Sequence, residues 1–204
     1  MTDPAYTRLP LDERRAQILA AGTALFAEHA YEEISMREIA QAAGVSKPLL
    51  YHYFPSKIEL FKAAVSAAAN ELQRLIEPGG SGSAPEQLAA SLDAYLSWIE
   101  ANARTWTKLM QSAATLPEAR ELVEAFRART MGFVLAELAG RGKVRPALRT
   151  AVTGWLGYMD AAILDWTAHK DLTRDELRNL LIGAFAAAAL SAQQIDPKIK
   201  LKLG

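Results

Sequence analysis

The sequence of 204 residues predicts an all-α protein, with an N-terminal three-helix unit followed by a larger helical domain. Two observations predict this fold class. Apolar residues recur at helical spacing, and few segments alternate apolar with polar residues as a half-buried strand does. In addition, five segments carry the Ser/Thr-x-x-Glu pattern of a capping box directly before an apolar helical pattern. These boxes begin at Ser35, Ser56, Ser83, Thr115 and Thr173.

The first domain is predicted over residues 1–55 and contains three helices. The first helix runs from about residue 12 to residue 29. The second helix, Met36–Ala43, ends at Gly44, because glycine readily adopts the left-handed conformation that terminates a helix. The third helix covers Lys47–Tyr53 and ends shortly before a proline, which cannot continue a helix interior.

The second domain is predicted over residues 56–204. It begins with a connecting helix over 56–77. A flexible loop over 78–85 follows, because its glycine, serine and proline residues disfavour helix and strand. The last two helices are predicted over Pro146–His169 and Arg174–Gln193.

Two short helices joined by a tight glycine turn are typical of a helix-turn-helix unit. In the second of these helices, Leu50 and Phe54 share one face and are expected to pack in the core. The opposite face presents Lys47, Pro48, Tyr51 and His52. A major groove accepts one α-helix, whose N-terminal residues reach the base edges. The pattern therefore indicates double-stranded DNA as a partner.

The charge distribution agrees with this interpretation only locally. The formal net charge is zero, which argues against a protein that holds nucleic acid by bulk positive charge. Between residues 34 and 58, however, Arg37, Lys47 and Lys57 stand against Glu38 alone. These cations lie near helix N-termini, where the helix dipole disfavours them, so a nearby anion such as phosphate is expected.

Hydroxyl groups near the same face supply further donors for phosphate oxygens. The candidate DNA contacts are Arg37, Ser46, Lys47, Pro48, Tyr51, His52, Tyr53 and Lys57. The alternatives for these residue types are ordinary surface lysines, a solvated histidine and partly buried core tyrosines.

Residues 12–61 resemble the DNA-binding domain of the tetracycline-repressor (TetR) family. The matching runs are Ser35-Met36-Arg37-Glu38-Ile39-Ala40, Ala43-Gly44-Val45-Ser46-Lys47 and Leu50-Tyr51-His52-Tyr53-Phe54-Pro55-Ser56-Lys57. The resemblance implies a homodimeric transcriptional regulator, usually a repressor, that a small effector releases from its operator. It also implies that the family's contact positions fall on Arg37, Ser46, Lys47, Pro48, Tyr51, His52 and Lys57.

All four tryptophans lie in the second domain. Such bulky side chains either fill a helical core or line an apolar pocket, and the second interpretation indicates a largely apolar or aromatic effector. Asp160 interrupts an apolar helix, so its carboxylate must pair with a base, meet a polar ligand or face solvent at an interface. The candidate effector pocket comprises Trp98, Trp106, Met110, Phe133, Trp155, Tyr158, Met159 and Asp160.

The final helix is apolar around much of its circumference, which indicates burial on more than one side. The second side is either an internal core or a symmetry mate. The family resemblance implies that the last two helices form a four-helix dimer interface. The candidate interface residues are Trp166, Leu180, Gly183, Ala184 and Ala187. A two-fold dimer predicts a near-palindromic operator with half-sites about 34 Å apart or somewhat more.

Several classes of protein are disfavoured. The absence of cysteine excludes disulfides and thiolate metal sites, and Asp165 and His169 lack an evident third ligand, so we expect no metal or other cofactor. The sequence shows no catalytic motif that favours an enzyme. The N-terminus does not resemble a signal peptide, and no uninterrupted apolar stretch reaches the roughly 20 residues of a membrane span. A cytoplasmic protein without a membrane partner is expected.

The alternative function is a small-molecule binding or carrier protein that retains the helix-turn-helix only as a structural unit. The basic residues Arg37, Lys47 and Lys57 argue against it, because a carrier has no need of them.

Overall fold

The computed structural model describes residues 11–76, 83–139 and 143–200. Within these ranges the chain forms nine α-helices and one short 3-10 helix, Tyr31–Glu33, and no strand, which confirms the all-α prediction. The α-helices are α1 (Leu11–Glu28), α2 (Met36–Ala42), α3 (Lys47–Tyr53), α4 (Lys57–Ile76), α5 (Ala84–Ala101), α6 (Ala103–Thr115), α7 (Pro117–Ala139), α8 (Pro146–His169) and α9 (Arg174–Ile195).

The predicted helix bounds agree closely with the structure. Helices α3 and α8 match at both ends, and α9 continues two residues beyond its predicted end at Gln193. Most of the predicted loop over 78–85 lies outside the described residues. Its last part is helical, because Ser83 is the N-cap of α5 and Pro85 occupies the first turn, where a missing N–H costs nothing.

Capping boxes fix the starts of α2 and α9 as predicted. The Ser35 hydroxyl oxygen accepts a bond from the Glu38 backbone N–H at 3.3 Å, and the Glu38 carboxylate accepts one from the Ser35 backbone N–H at 2.8 Å. Thr173 and Glu176 make the same two bonds at 3.2 and 2.8 Å. Each pair satisfies two N–H groups that a helix start otherwise leaves unbonded.

The capping box predicted at Thr115 is wrong. Thr115 is the last residue of α6, and its hydroxyl donates to the Ser112 carbonyl oxygen at 3.4 Å. Helix α7 begins at Pro117, directly after Leu116. The proline at the first helical position, and not the threonine, marks this start.

The chain folds into two compact units. The first unit contains residues up to 68 and residues 104–122, and the second contains residues 69–103 and those from 123 onward. Helices α4 and α7 therefore contribute residues to both units. These units do not test the predicted functional domains, a DNA-binding domain over 1–55 and an effector-binding and dimerisation domain over 56–204, which stay predictions.

The first unit has a core of fully buried aliphatic side chains. Ile18 of α1, Ile39 of α2 and Leu50 of α3 are 0% exposed, as the predicted inward faces require. Gly22 lies so close to α4 that a Cβ atom there would stand 2.9 Å from Cδ2 of Leu60. These contacts hold α2 and α3 against α1 and the start of α4.

The second unit is organised around α8, which packs along α9, while α5 packs on the same α9. The Trp155 indole N–H donates to the Leu181 carbonyl oxygen at 3.0 Å and so links α8 to α9 inside the core. On the outside, the Arg178 guanidinium lies 2.8 Å from the Asp93 carboxylate and links α9 to α5. The unit therefore combines an apolar interior with polar links across its helices.

Candidate functional site

The turn between α2 and α3 is fixed mainly by backbone interactions. Gly44 has φ +62°, a left-handed conformation that glycine adopts without strain. The next N–H, that of Val45, donates to the Ala40 carbonyl oxygen at 2.9 Å. Ser46 is then the N-cap of α3, where its hydroxyl oxygen accepts a bond from the Leu49 N–H at 3.4 Å. The sequence thus builds the tight turn predicted for a helix-turn-helix.

The outer face of α3 presents four of the predicted contact residues to solvent. Lys47, Pro48, Tyr51 and His52 are exposed, and the Tyr51 side chain is 42% exposed. The Lys47 ammonium lies 5.9 Å from the centre of the Tyr51 ring. Leu50 on the opposite side is buried. The helix is therefore held from behind and shows a cationic, hydrogen-bonding side.

Arg37 and Ser46 are exposed at the starts of α2 and α3. Glu38, the acidic neighbour of Arg37, is committed to the cap of α2. Hydrogen bonds from the hydroxyl and then from the backbone N–H of Ser35 lower the pKa of Glu38. The single carboxylate in this stretch is thus directed to a helix start, while the cations Arg37 and Lys47 remain on the surface.

Lys57 and Tyr53 are placed differently from the other predicted contacts. The Lys57 ammonium donates to the carbonyl oxygens of Tyr31 and Ile34 at 2.7 and 2.8 Å, and it lies 4.2 Å from the centre of the Tyr31 ring. Two of its three N–H donors are therefore used inside the unit. Tyr53 is half-buried and packs against the core, with His52 edge-on at 5.3 Å between ring centres.

Residues of α1 that the sequence did not single out support the same region. The Gln17 amide donates to the Ala43 carbonyl oxygen at 2.9 Å, at the end of α2. The Arg15 guanidinium lies 4.9 Å from the centre of the Phe54 ring, directly after α3. No sequence spacing signals these contacts, because they join residues 26 and 39 positions apart. They brace the helix-turn-helix from behind.

A cavity of about 320 Å³ lies in the second unit. Its described lining is mostly aliphatic and aromatic and contains no charged residue. The lining residues are Gln73, Ile76, Pro85, Gln87, Leu88, Ser91, Leu92, Tyr95, Phe126, Thr130, Phe133, Val134, Leu138, Trp155, Met159, Ile182, Phe185 and Ala186. Such a concave, apolar space with few polar groups is typical of a small-molecule site.

Two polar atoms of this cavity lack a hydrogen-bond partner among the described residues: the side-chain oxygens of Gln73 and Thr130. The Gln73 side chain is only 3% exposed. Sequence analysis missed both residues, because a glutamine and a threonine in amphipathic helices carry no distinguishing signal.

Helices α8 and α9 also expose apolar and small side chains. On α9, Leu180 is 48% exposed, Gly183 and Ala187 are exposed, and Ala184 is half-buried. On α8, Tyr158 is 41% exposed. These residues form the exposed stripes of α8 and α9.

No helix in the described part of the chain is long and apolar enough to cross a membrane. The described residues also contain no group of three or more His, Asp or Glu side chains placed to hold a metal ion.

Two family models match the chain. The model of bacterial regulatory proteins of the tetR family matches residues 18–64, which contain the whole helix-turn-helix. The model of the tetracyclin repressor-like C-terminal domain matches residues 85–188, half of the chain. The chain belongs to the TetR family. This assignment makes it a regulatory protein and not an enzyme.

The chain is also similar to individual transcriptional regulators. The transcriptional activator FasR of Mycolicibacterium smegmatis is 34% identical over 107 residues, which cover 52% of this chain and 49% of FasR. The transcriptional repressor KstR of Rhodococcus jostii is 45% identical over 67 residues, covering 33% of this chain and 30% of KstR. The chain thus spans half or less of these curated relatives. A tetR-family regulator from Streptomyces coelicolor superposes with a TM-score of 0.83 and 27% identity, covering 94% of this chain and 86% of that one.

Three of the eight residues predicted for the effector pocket line the cavity: Phe133, Trp155 and Met159. Tyr158 does not, because consecutive helical residues point about 100° apart and Tyr158 therefore faces away from its neighbour Met159. The remaining predicted residues outside the described lining are Trp98, Trp106, Met110 and Asp160, of which Trp106 and Met110 belong to the first unit.

Asp160 meets a base, which was one of the three predicted alternatives. Its carboxylate is 6% exposed and lies 2.6 Å from a guanidinium nitrogen of Arg127. Burial raises the pKa of Asp160, and the Arg127 charge opposes that rise. The pKa of the neighbouring Tyr95 is raised well above its ordinary range, first by burial and then by the Asp160 charge. Asp160 is thus a buried carboxylate paired with the partly exposed Arg127.

Trp166, which was predicted for the dimer interface, is 6% exposed within the single chain. Its indole N–H donates to the Leu172 carbonyl oxygen at 2.8 Å, which anchors the turn between α8 and α9. The other four predicted interface residues lie on α9, where three are exposed and one is half-buried: Leu180, Gly183, Ala187 and Ala184 respectively.

Proposed function

We propose that this TetR-family protein is a homodimeric, DNA-binding transcriptional regulator that a small, largely apolar effector releases from its operator. The outer face of α3 carries the proposal. Lys47, Pro48, Tyr51 and His52 face solvent, while Leu50 behind them is fully buried. A short helix that is fixed on one side and cationic on the other is suited to a major groove.

The remaining predicted contacts are assigned to the phosphate backbone. Arg37 supplies a charge at the start of α2. The Ser46 oxygen already accepts an intrahelical bond, so its hydroxyl hydrogen is the part that donates to phosphate. Lys57 has one N–H left for the same purpose, since the other two bind backbone carbonyls. The hydroxyls of Tyr51 and Tyr53 complete the set.

The exposed stripes of α8 and α9 are proposed as the dimer interface. Pairing of two copies through these stripes buries apolar surface on both, as an isologous two-fold contact requires. The resulting two-fold symmetry places two α3 helices on half-sites about 34 Å apart or somewhat more, so the operator is near-palindromic.

A test of the dimer introduces a charge into the stripe. Leu180→Glu is expected to give monomers in sedimentation experiments, because a buried unpaired carboxylate is costly. Ser97→Glu, on the exposed side of α5, is the matched control and should remain dimeric. A dimeric Leu180→Glu variant would contradict the proposed interface.

The cavity is proposed as the effector site. An effector needs to favour the non-binding arrangement of the dimer by only about 1–3 kcal/mol to weaken operator binding 5- to 150-fold. Its mostly aliphatic and aromatic lining agrees with an apolar effector.

Repression is proposed on the family resemblance, although the relatives include both the activator FasR and the repressor KstR. A protein that binds bacterial DNA and regulates transcription acts in the cytoplasm, so the cytoplasm is the proposed location.

The decisive experiment selects bound DNA from a random pool and then measures operator affinity for variants. Lys47→Ala and Tyr51→Ala are each expected to weaken binding at least about tenfold, because each dimer loses two contacts of about 1–3 kcal/mol. Arg104→Ala removes an equally exposed cation of the first unit and should change the affinity less than about twofold. Wild-type affinity in both α3 variants would overturn the assignment of the DNA-binding face.

Salt dependence separates a regulator from the carrier alternative. Arg37, Lys47 and Lys57 give six cations per dimer at the proposed DNA-binding face, so the slope of log K against log salt is expected near −5.4. Between 50 and 200 mM salt the operator affinity should then fall about 1,800-fold. A flat or absent response would favour the carrier protein.

A further inference from the structure

The cavity contains an unsatisfied hydrogen-bond acceptor on a buried side chain. Gln73 lies near the end of α4 and is 3% exposed, yet its side-chain oxygen has no partner among the described residues. Native proteins rarely leave such a group unpaired, because its lost hydration is not recovered. The Thr130 hydroxyl, which lines the same cavity from α7, is buried and unpartnered in the same way.

Other polar groups of the cavity are already engaged. The Ser91 hydroxyl donates to the Ile76 carbonyl oxygen at 2.8 Å. The Trp155 N–H is bound to the Leu181 carbonyl oxygen. Among the polar side chains of the lining, Gln73 and Thr130 have a buried polar atom that lacks a partner within the described residues, so they are the candidates for polar recognition of a ligand.

We propose that the cavity binds an uncharged, mostly apolar molecule that carries a hydroxyl group, and that the hydroxyl donates to Gln73. This inference rests on the proposed function, because it names the chemical class of the proposed effector. Thr130, which can donate as well as accept, supplies a second polar contact. A carboxylate does not fit, because it cannot donate to an amide oxygen and no charged residue of the described lining compensates its lost hydration.

The volume suggests the size of a suitable probe. A cavity of about 320 Å³ lies at the lower end of the roughly 300–1,000 Å³ range of small-molecule pockets. A small ligand of about a dozen non-hydrogen atoms is therefore a suitable probe. A straight-chain alcohol of about ten carbons has the matching size and polarity.

The test uses isothermal titration calorimetry of the dimer with three probes of similar length: 1-decanol, its isomer 1-methoxynonane, and decanoate. The ether keeps the oxygen and the bulk of the alcohol but lacks the donor. We expect 1-decanol to bind about tenfold or more tightly than either of the other two. Equal binding of the alcohol and the ether, or binding of decanoate as tight as that of the alcohol, would overturn the proposal, as would failure of all three to bind.

Variants locate the effect. Gln73→Leu should abolish the preference for the alcohol over the ether and leave the ether affinity within about threefold of wild type. Thr130→Val should reduce that preference in part. Ser91→Ala is the matched control, since its hydroxyl is already bonded, and should leave the preference unchanged. An unchanged preference in Gln73→Leu would contradict the assignment of the hydroxyl to Gln73.

Two further measurements keep the outcome clear. Gln73→Leu removes an unpaired buried oxygen, so the ligand-free variant should unfold at the same temperature as wild type or higher. A lower unfolding temperature would mean that Gln73 has a structural partner, which contradicts its role toward a ligand. Calorimetry requires no DNA. If 1-decanol binds as expected but does not release the operator, the proposed effector mechanism fails while the assignment of the cavity stands.

Discussion

Lys57→Met is expected to destabilise the first compact unit. The ammonium of Lys57 binds two carbonyl oxygens, those of Tyr31 and Ile34, and contacts the Tyr31 ring. A net contribution of about 1.5–3 kcal/mol is typical of a hydrogen bond to a charged group, and about 0.5–1 kcal/mol of an exposed cation–π contact. Because the site is only partly buried, water will satisfy the carbonyls in part. We therefore expect a loss of about 2–3 kcal/mol, below the sum of these contributions.

Native-state hydrogen exchange is the suitable assay, because the chain has two compact units and exchange reports the stability of each one separately. The protected amides of α1 to α3 should exchange about 30- to 140-fold faster in Lys57→Met, at about 1.4 kcal/mol per tenfold change. Lys62→Met is the control on the same helix. Its ion pair with Glu59 at 3.5 Å is exposed, so exchange should rise less than about threefold. Similar exchange in the two variants would refute the role given to Lys57.

Three further changes probe local structure. Gly22→Ala should lower the free energy of unfolding by about 1–3 kcal/mol, because its Cβ would overlap Leu60. An unchanged midpoint of thermal unfolding would mean that α1 and α4 are less closely packed than the structure shows. Gly44→Ala should lower the free energy of unfolding by about 1–2 kcal/mol, because φ is +62° at this position, and Gly44→Asn should lower it less. An equal loss in the two variants would mean that the left-handed backbone conformation is not the cause. Ser35→Ala should cost about 1 kcal/mol at pH 7 in urea unfolding. The pKa of Glu38 is lowered in the folded protein, so its contribution to stability is complete above its ordinary pKa of 4.5 and is lost as the pH falls through the folded value. The difference in free energy of unfolding between wild type and Ser35→Ala should therefore be smaller at pH 3 than at pH 7. A difference that does not change with pH would contradict this linkage.

The sequence was sufficient for features that depend on neighbouring residues. Ser35 and Thr173 each form a capping box with a glutamate three positions later, and both were predicted correctly. Gly44 was likewise identified as the residue that ends α2. Thr115 failed, although it fits the same pattern, because Pro117 started the next helix one residue later than a cap at Thr115 would require.

Features that depend on distant residues were not predictable in the same way. The tryptophans look equivalent in the sequence, yet Trp155 lines the cavity, Trp166 binds a turn carbonyl and Trp106 belongs to the other compact unit. Residue type alone cannot indicate which side of a helix meets a cavity. Lys57 was identified as a surface cation, but its two carbonyl partners lie 26 and 23 positions earlier in the chain.

Helix α9 carries two different sets of residues in alternation. Ile182, Phe185 and Ala186 line the cavity, while Gly183 and Ala187 lie between or beside them on the exposed stripe. Substitutions that reshape the cavity from this helix therefore fall within one position of residues on its outer surface. Evolution of a new ligand preference is then least constrained on α5 and α7, which supply most of the cavity wall. Directed evolution of this protein toward new ligands should begin on those two helices and leave α9 unchanged.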